Sequence, residues 1–338
     1  MKRLAINGFG RIGRCVFRAL QERSADFDLN LVAINELADI DTIAYLSRYD
    51  STHGRFPGKI DLQENNLLVN DAPIAVSHHE QIQDLPWHSE NIDLVLECTG
   101  VHGDRAAGLQ HLAAGAGRVL FSQPASVDVD CTIVRGVNHQ KLTADHRIVS
   151  NASCTTNCIV PVLKLLHEAF GISSGNITTL HSMMNDQPVL DAYHHTDLRK
   201  TRSASQSMIP VDTELVRGIG RLLPDLEDRL SAKAIRVPTA NVSAMDLVVC
   251  LQKDVSAEQV NRLFQQACAT QLEGVLDCAT EPLASCDFNH DRHSGIVDIA
   301  HTSVSNGRLL NVLTWFDNEW GFANRMLEVA DQMLSGSC

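Results

Sequence analysis

The sequence predicts two domains: an α/β domain with a parallel sheet, then an α+β domain whose sheet is mostly antiparallel. Up to about Ser150, short apolar runs bounded by Gly, Ser, Pro or Asp alternate with helical patterns, as buried parallel strands do. Beyond that point the apolar segments are longer and many alternate with polar residues, which favours antiparallel strands. We therefore place the domains at residues 1–150 and 151–318.

A glycine motif follows the first predicted strand, residues 4–7. Gly8, Gly10 and Gly13 form G-x-G-x-x-G between this strand and a helical pattern. The first glycine allows a tight turn, the second lets the backbone approach a pyrophosphate, and the third packs helix against strand. The helix N-terminus then receives the phosphate charge. The motif predicts a Rossmann domain; the alternative is a strand-to-helix turn that happens to carry three glycines.

A carboxylate ends the second predicted strand, residues 29–34. Glu36 follows the glycine motif at the spacing expected for a ribose-binding acid. It can accept a hydrogen bond from a 2′-hydroxyl but would repel a 2′-phosphate, which predicts NAD rather than NADP. Because the carboxyl ends of strands form the ligand crevice of such a sheet, Thr99 and Ser122 are expected at the same site.

Cys154 lies in a polar turn between an apparent strand, residues 147–150, and a helical pattern. Free amides and the positive dipole at a helix N-terminus favour the thiolate, so we expect Cys154 to be a nucleophile that forms a covalent intermediate. The alternative is a buried structural cysteine, against which the polar neighbours argue. Cys158 is interpreted as part of the helix packing face.

His181 is the candidate base for this nucleophile. It lies at the end of a predicted strand, where residues distant in sequence can meet Cys154. A thiolate–imidazolium pair would lower the cysteine pKa, and the same histidine would move the proton during hydride transfer. The chain has 15 histidines, so spacing alone does not single out this one.

The remaining elements follow from periodicity. Apolar runs predict further strands at residues 91–98, 118–122, 131–137, 177–183, 232–238, 245–252, 296–303 and 309–315. A helix is predicted at 256–271 with Ser256 as its N-cap, and a final helix at 319–334.

Composition excludes several classes of protein. The net charge of −13 argues against nucleic-acid and membrane-surface binding, and no apolar stretch is long enough to span a membrane. Ten cysteines without a C-x-x-C spacing predict reduced thiols in the cytoplasm. No metal site is predicted, because the grouped histidines lack a partner set: His78, His79, His194, His195, His290 and His293.

Five segments resemble the phosphorylating glyceraldehyde-3-phosphate dehydrogenase superfamily across the whole chain: residues 7–14 (NGFGRIGR), 49–54 (YDSTHG), 150–158 (SNASCTTNC), 236–242 (RVPTANV) and 315–322 (WFDNEWGF). The resemblance implies an NAD-binding Rossmann domain, an α+β catalytic domain and a C-terminal helix, residues 319–338, that completes the first domain. It also implies a cytoplasmic homotetramer.

The resemblance also assigns roles. Cys154 would attack an aldehyde to give a thiohemiacetal, and His181 would activate the thiol and accept a proton as hydride leaves for NAD. Asn318 is similar to the residue that orients the nicotinamide carboxamide. Other matched cofactor positions are Arg11, Ile12, Glu36 and Ser122. Positions matched to binding of a substrate phosphate or an attacking anion are Ser153, Thr155, Thr213 and Arg236.

Three departures from the superfamily pattern concern phosphate. Met184 replaces a usual threonine, and a thioether cannot donate a hydrogen bond. Glu214 follows Thr213 where glycine is usual, and its charge would oppose inorganic phosphate. Arg199-Lys200 replaces a usual pair of arginines, which leaves open which of the two contacts substrate.

Weakened phosphate sites suit an enzyme that resolves its thioester with water. In this respect the chain looks most like the erythrose-4-phosphate dehydrogenase branch, which implies oxidation of a phosphorylated aldehyde, D-erythrose 4-phosphate, to 4-phosphoerythronate, an early step toward pyridoxal phosphate. The alternatives are a phosphorylating glyceraldehyde-3-phosphate dehydrogenase of glycolysis, an NADP-preferring paralogue, and a non-catalytic nucleotide- or RNA-binding protein.

Overall fold

A computed structural model describes residues 1–194 and 196–335. His195, part of one histidine pair considered above, and residues 336–338, the end of the predicted C-terminal helix, lie outside this range. The chain divides into two compact units, one formed by Met1–Ser153 with the segment after Gly321, and the other by Cys154–Gly321.

The first unit is an α/β structure. Its strands are β1 (Lys2–Asn7), β2 (Leu29–Asn35), β3 (Tyr49–Asp50), β4 (Gly54–Arg55), β5 (Ile60–Gln63), β6 (Asn66–Val69), β7 (Ala72–Ser77), β8 (Leu94–Glu97), β9 (Arg118–Phe121), β10 (Cys131–Thr132) and β11 (Ile148–Ser150). Its helices are α1 (Arg11–Glu22), α2 (Ile40–Arg48) and α3 (Arg105–Ala113), with 3₁₀ turns at Ile82–Asp84 and His139–Lys141.

Nine of these strands form one sheet in the order β10-β11-β9-β8-β1-β2-β7-β6-β5. The pairs from β10 to β7 are parallel, and β7, β6 and β5 pair antiparallel at one edge. The central strands are buried on both faces, since Leu4, Val95 and Leu120 are each 0% exposed. This explains why they read as continuous apolar runs rather than alternating ones.

One predicted strand of this sheet is much shorter than expected. The apolar run at 131–137 pairs only over Cys131–Thr132. Beyond it the chain turns, because the Asn138 side chain donates to the Thr132 carbonyl and accepts from the Val134 amide, both at 2.8 Å. Ile133 and Val134 are buried in this turn, so their apolar character reflects burial rather than strand pairing.

The second unit is an α+β structure. Its strands are β12 (Ile172–His181), β13 (Ile209–Val211), β14 (Leu230–Arg236), β15 (Ser243–Leu251), β16 (Leu276–Ala279), β17 (Gly295–Ser305) and β18 (Leu309–Phe316). Its helices are α4 (Cys154–Phe170), α5 (Leu215–Leu222) and α6 (Ala257–Cys268), with 3₁₀ turns at Leu198–Thr201, Pro224–Leu226 and Ser285–Phe288. The final helix, α7 (Trp320–Ser335), belongs to the first unit from Phe322 onward.

The second sheet has the order β13-β14-β12-β15-β18-β17-β16 and is mostly antiparallel. Two pairs are parallel, β12 with β14 and β16 with β17. The fold class predicted from the sequence is therefore confirmed for both units. The parallel pair β12–β14 matters for function because its register places His181 opposite Arg236.

The predicted cap of α6 is confirmed. Ser256 is the N-cap residue, and its side chain accepts a hydrogen bond from the Gln259 amide while the Gln259 side chain accepts one from the Ser256 amide. This reciprocal capping box satisfies two amides that the first turn of a helix leaves without intrahelical partners. Among the helices described here, none is both long enough and apolar enough to cross a membrane.

Candidate active site

The glycine loop between β1 and α1 is shaped by close backbone approaches. Gly8 has φ +86°, and a Cβ there would lie 2.6 Å from the Thr99 amide nitrogen. A Cβ on Gly13 would collide with the Gly8 carbonyl oxygen. Gly10 differs, because no atom lies within 4 Å of its built Cβ. Packing thus explains Gly8 and Gly13, whereas Gly10 leaves open space beside the start of α1, as close approach of a ligand requires.

Arg11 and Ile12 are the first two residues of α1, as the predicted phosphate-binding helix end requires. The Arg11 guanidinium also binds Asp50, with Nη1 2.5 Å from Oδ2 and Nη2 3.3 Å from Oδ1. Burial opposes ionisation of Asp50, but Arg11 and the amides of His53 and Thr52 outweigh it and hold the carboxyl pKa well below its usual range. The Arg11 side chain therefore braces the loop that carries Asp50.

Glu36 also contacts the glycine loop. Its Oε2 accepts a 2.7 Å hydrogen bond from the Phe9 amide, and its Oε1 accepts from the Leu37 amide at 2.8 Å. The carboxylate borders a cavity of about 220 Å³ whose lining is Phe9, Gly10, Arg14, Glu36, Ala38, Thr42, Ile43 and Leu46. A fixed negative charge at this position disfavours a 2′-phosphate, in agreement with the prediction of NAD over NADP.

A buried carboxylate, Glu97, lies beneath the loop. It accepts hydrogen bonds from Asn7 Nδ2 at 2.6 Å and from the Thr99 amide at 2.9 Å, and it also contacts the Thr99 hydroxyl. Trp87 Nε1 lies 3.0 Å from His111 Nδ1, and an indole only donates. His111 Nε2 therefore carries the proton and donates to Glu97 at 3.0 Å. This network fixes the carboxyl ends of β1 and β8.

Sequence reasoning missed Glu97 and His111. The available signal was an acid at the end of an otherwise apolar strand, LVLE, which must find partners when buried. Ser122 follows the neighbouring strand β9, and its amide donates to the Glu97 carbonyl at 3.0 Å. The structure thus brings Thr99 and Ser122 to one sheet edge, as predicted. Together with the open loop at Gly10 and the Glu36 carboxylate, these residues fit a dinucleotide.

In the second unit, Cys154 is the first residue of α4, as the sequence predicts. The chain reaches it through Ala152, which has φ +56°, a conformation that residues other than glycine adopt only under constraint. The Cys154 Sγ lies 3.9 Å from His181 Nε2. The structure therefore brings together the predicted nucleophile and the predicted base.

His181 is held in one tautomer. Its Nδ1 lies 2.9 Å from the Ser182 carbonyl oxygen, which can only accept, so Nδ1 carries the proton. In the neutral imidazole, Nε2 then presents its lone pair to the sulfur. This is the arrangement of a base that takes the proton of the thiol.

Partial burial of Cys154 opposes the predicted thiolate. Burial raises the pKa of the Cys154 thiol to about 11; the backbone amides of Thr155 and Cys154 oppose this shift, while Asp317 and Glu319 add to it. Burial also lowers the pKa of His181. Loss of water around the partly buried sulfur opposes the helix N-terminus, and the two pKa shifts favour a thiol and a neutral imidazole in the resting pair.

Hydrogen bonds tie Asn318 to Ser182, the residue that follows His181. Its Oδ1 accepts from Ser182 Oγ at 3.0 Å and from Ser243 Oγ at 2.9 Å. Ser243 Oγ in turn accepts from the Ser182 amide at 3.0 Å. Both hydroxyls bind the carbonyl end, so the Nδ2 end is the donor that Asn318 offers, which suits its predicted role of orienting the nicotinamide carboxamide.

The predicted substrate-binding cations are distributed unevenly. Arg236 and Lys200 converge on Asp186, whereas Arg199 is exposed. Thr213 lies just beyond β13, where its Oγ1 accepts a 3.3 Å hydrogen bond from the Leu215 amide. Ser153 and Thr155 flank Cys154 in the chain. The substrate-binding roles of these residues stay predictions. Asp186 was not predicted at all.

A dinucleotide-binding sheet and a cysteine facing a histidine base are features of oxidoreductases that use a nicotinamide cofactor. Two family models match the chain: "Glyceraldehyde 3-phosphate dehydrogenase, NAD binding domain" over residues 2–105 and "Glyceraldehyde 3-phosphate dehydrogenase, C-terminal domain" over residues 153–318. The chain therefore belongs to the glyceraldehyde 3-phosphate dehydrogenase family and is an NAD-dependent dehydrogenase. The predicted cofactor, NAD, is confirmed.

Gly10→Ala and Gly13→Ala form a matched pair that separates ligand contact from packing. Gly10→Ala should leave the unfolding temperature unchanged and weaken NAD binding, since the added methyl meets no protein atom. Gly13→Ala should destabilise the protein by about 1–3 kcal/mol through overpacking against Gly8. Thermal unfolding and NAD titration calorimetry check both. Tight NAD binding by folded Gly10→Ala would contradict the role of Gly10.

Alkylation of Cys154 by iodoacetamide should rise about tenfold per pH unit from pH 7 to pH 9, because only the thiolate reacts and the thiol pKa is about 11. Mass spectrometry of the modified peptide measures the rate, and Cys154→Ser identifies its peptide. His181→Asn should leave this profile nearly unchanged while slowing turnover. A rate already constant near neutral pH would instead indicate a thiolate–imidazolium pair.

Proposed function

We propose that this dehydrogenase oxidises D-erythrose 4-phosphate to 4-phosphoerythronate with NAD and water. The observation that carries the proposal is the state of the cations in the second unit. Arg236 and Lys200 both bind the Asp186 carboxylate, so neither is an uncompensated cation that attracts free inorganic phosphate. This favours water over phosphate as the group that releases the product.

Two further side chains support the same preference. Met184 is 47% exposed, three residues after His181, and offers no hydrogen-bond donor. Glu214 is exposed beside Thr213 and makes a 3.5 Å ion pair with Arg217, whose side chain is also exposed. A carboxylate so open to solvent adds negative charge where an attacking phosphate dianion would have to approach.

A phosphate carried by the substrate has an advantage that free phosphate lacks. Once the aldehyde is bonded to Cys154, its phosphate is confined near the site and its effective concentration is high. It can then compete with Asp186 for Arg236, whereas dilute inorganic phosphate competes poorly. The same cations therefore distinguish a phosphorylated substrate from inorganic phosphate.

The first chemical step uses the neutral pair described above. His181 Nε2 takes the Sγ proton as the sulfur attacks the aldehyde carbon, and the proton passes to the new hydroxyl of the thiohemiacetal. Bound NAD supplies the hydride acceptor. His181 takes the hydroxyl proton as the carbon is oxidised, which leaves a thioester on Cys154.

The second step returns the enzyme to its starting state. His181 loses its proton to solvent and then takes one from water, whose oxygen attacks the thioester carbon. The carbon–sulfur bond breaks, the acid is released, and the sulfur recovers a proton. The net change is one aldehyde, one NAD and one water converted to one carboxylic acid and NADH, with protons released.

The biological setting is part of the same proposal. The product acid would serve as an early intermediate of pyridoxal phosphate synthesis, and the enzyme would act as a homotetramer in the cytoplasm. These statements rest on the resemblance of the chain to the erythrose-4-phosphate dehydrogenase branch. They are tested separately, by the growth requirement of a deletion strain and by the mass of the protein in solution.

NADH formation with D-erythrose 4-phosphate and with D-glyceraldehyde 3-phosphate, each with and without inorganic phosphate, tests the reaction. We expect efficient oxidation of the tetrose at a rate that phosphate does not change, because water resolves the thioester. Cys154→Ser should show no NADH formation while retaining NAD binding. Phosphate-dependent preference for the triose would identify a phosphorylating glyceraldehyde-3-phosphate dehydrogenase and overturn the proposal.

A further inference from the structure

Arg236 and Lys200 form a cationic cluster in the second unit, and the Asp186 carboxylate binds it as an anionic ligand would. Arg236 binds it through both arms of the guanidinium, Nη1 to Oδ1 at 2.6 Å and Nη2 to Oδ2 at 3.0 Å. Lys200 Nζ adds a contact to Oδ2 at 2.9 Å. Two-armed binding of a planar guanidinium is the geometry with which arginine also recognises phosphate.

This cluster adjoins the catalytic pair. In the register of β12 and β14, Arg236 lies directly opposite His181. After burial and the hydrogen bond to Ser182, the next influences on the His181 pKa are Arg236, which lowers it, and Asp186, which raises it. An anionic group held by Arg236 would therefore lie close to the atoms that react at Cys154.

Arg236 and Asp186 differ in how firmly the structure holds them. Arg236 ends strand β14 and its side chain is 7% exposed, so it is fixed in place. Asp186 lies in an irregular segment after β12, and its side chain is 42% exposed. Burial opposes its ionisation, but Arg236 and Lys200 prevail and lower its pKa to about 2. Asp186 is thus charged at any working pH, and it leaves Arg236 only by displacement.

We propose that Asp186 is an internal counter-ion that a phosphate monoester must displace from Arg236 and Lys200, and that it thereby sets the affinity of the site for phosphorylated substrates. The proposal deepens the function proposed above and rests on it for the identity of the aldehyde. Substrate phosphate and free inorganic phosphate share the required chemistry. Competition from the carboxylate raises the concentration at which either anion binds Arg236 and Lys200. The substrate offsets this competition through its bond to Cys154, which holds its phosphate near the site.

Asp186→Asn tests the proposal, with Asp191→Asn as the matched control. Asp191 is an aspartate of the same segment that pairs with an arginine, Arg202, at 3.0 Å, but both side chains are more than half exposed. In Asp186→Asn, the KM for the phosphorylated aldehyde should fall roughly 10- to 150-fold, the range of one charged hydrogen-bonding partner. The KM for unphosphorylated D-glyceraldehyde should stay unchanged, and Asp191→Asn should change neither.

Binding of inorganic phosphate and of sulfate to the resting enzyme provides a readout that needs no turnover. Calorimetric titration should show a similar fall in Kd for Asp186→Asn, and the gain should vanish in Asp186→Asn/Arg236→Ala. Thermal unfolding shows whether each variant is folded. If Asp186→Asn is not folded, Asp186→Ser takes its place. If the tetrose proves a poor substrate, the proposed function fails while the anion titration still decides the role of Asp186.

Three results would overturn the proposal. Unchanged anion affinity in Asp186→Asn would show that the carboxylate does not compete. Weaker anion binding, or a higher KM for the phosphorylated aldehyde, would show that Asp186 instead holds Arg236 in its working position. Equal changes in KM for phosphorylated and unphosphorylated aldehydes likewise contradict a role specific to phosphate.

Discussion

The parallel pairing of β12 with β14 is the constraint on which the chemistry of the second unit depends. It sets His181 opposite Arg236, so that a proton acceptor and an anion-binding fork lie on adjacent strand ends. The hydrogen bond from His181 Nδ1 to the Ser182 carbonyl then directs the free lone pair toward Cys154. A one-residue shift of this register would turn one of the two side chains to the other face of the sheet.

Burial governs the electrostatics of this site more than charge does. It raises the pKa of the Cys154 thiol and lowers that of the His181 imidazole, in spite of the helix N-terminus nearby. Beside the catalytic pair, Asp186 neutralises the buried Arg236. Pairing lowers the cost of keeping this guanidinium buried in the absence of substrate.

Local signals in the sequence were enough to predict much of this arrangement. The glycine loop, the helix start at Cys154 and the strand end at His181 each depend on a few consecutive residues, and each lies where predicted. Glu97 and Asp186 were missed because their roles depend on partners far along the chain, His111 and Arg236. The opposing effect of burial on Cys154 was missed because periodicity shows where a helix begins but not how far folding removes water from its first residue.

The protonated state of Cys154 also bears on how the enzyme survives oxidants. Peroxides and electrophiles attack thiolates, and a thiol with a pKa of about 11 is almost entirely protonated near neutral pH. Cys158, one turn further along α4, is fully buried with its pKa also raised by burial. A nucleophile in this state should react slowly with oxidants between catalytic cycles, and we expect it to be most vulnerable when His181 draws off its proton.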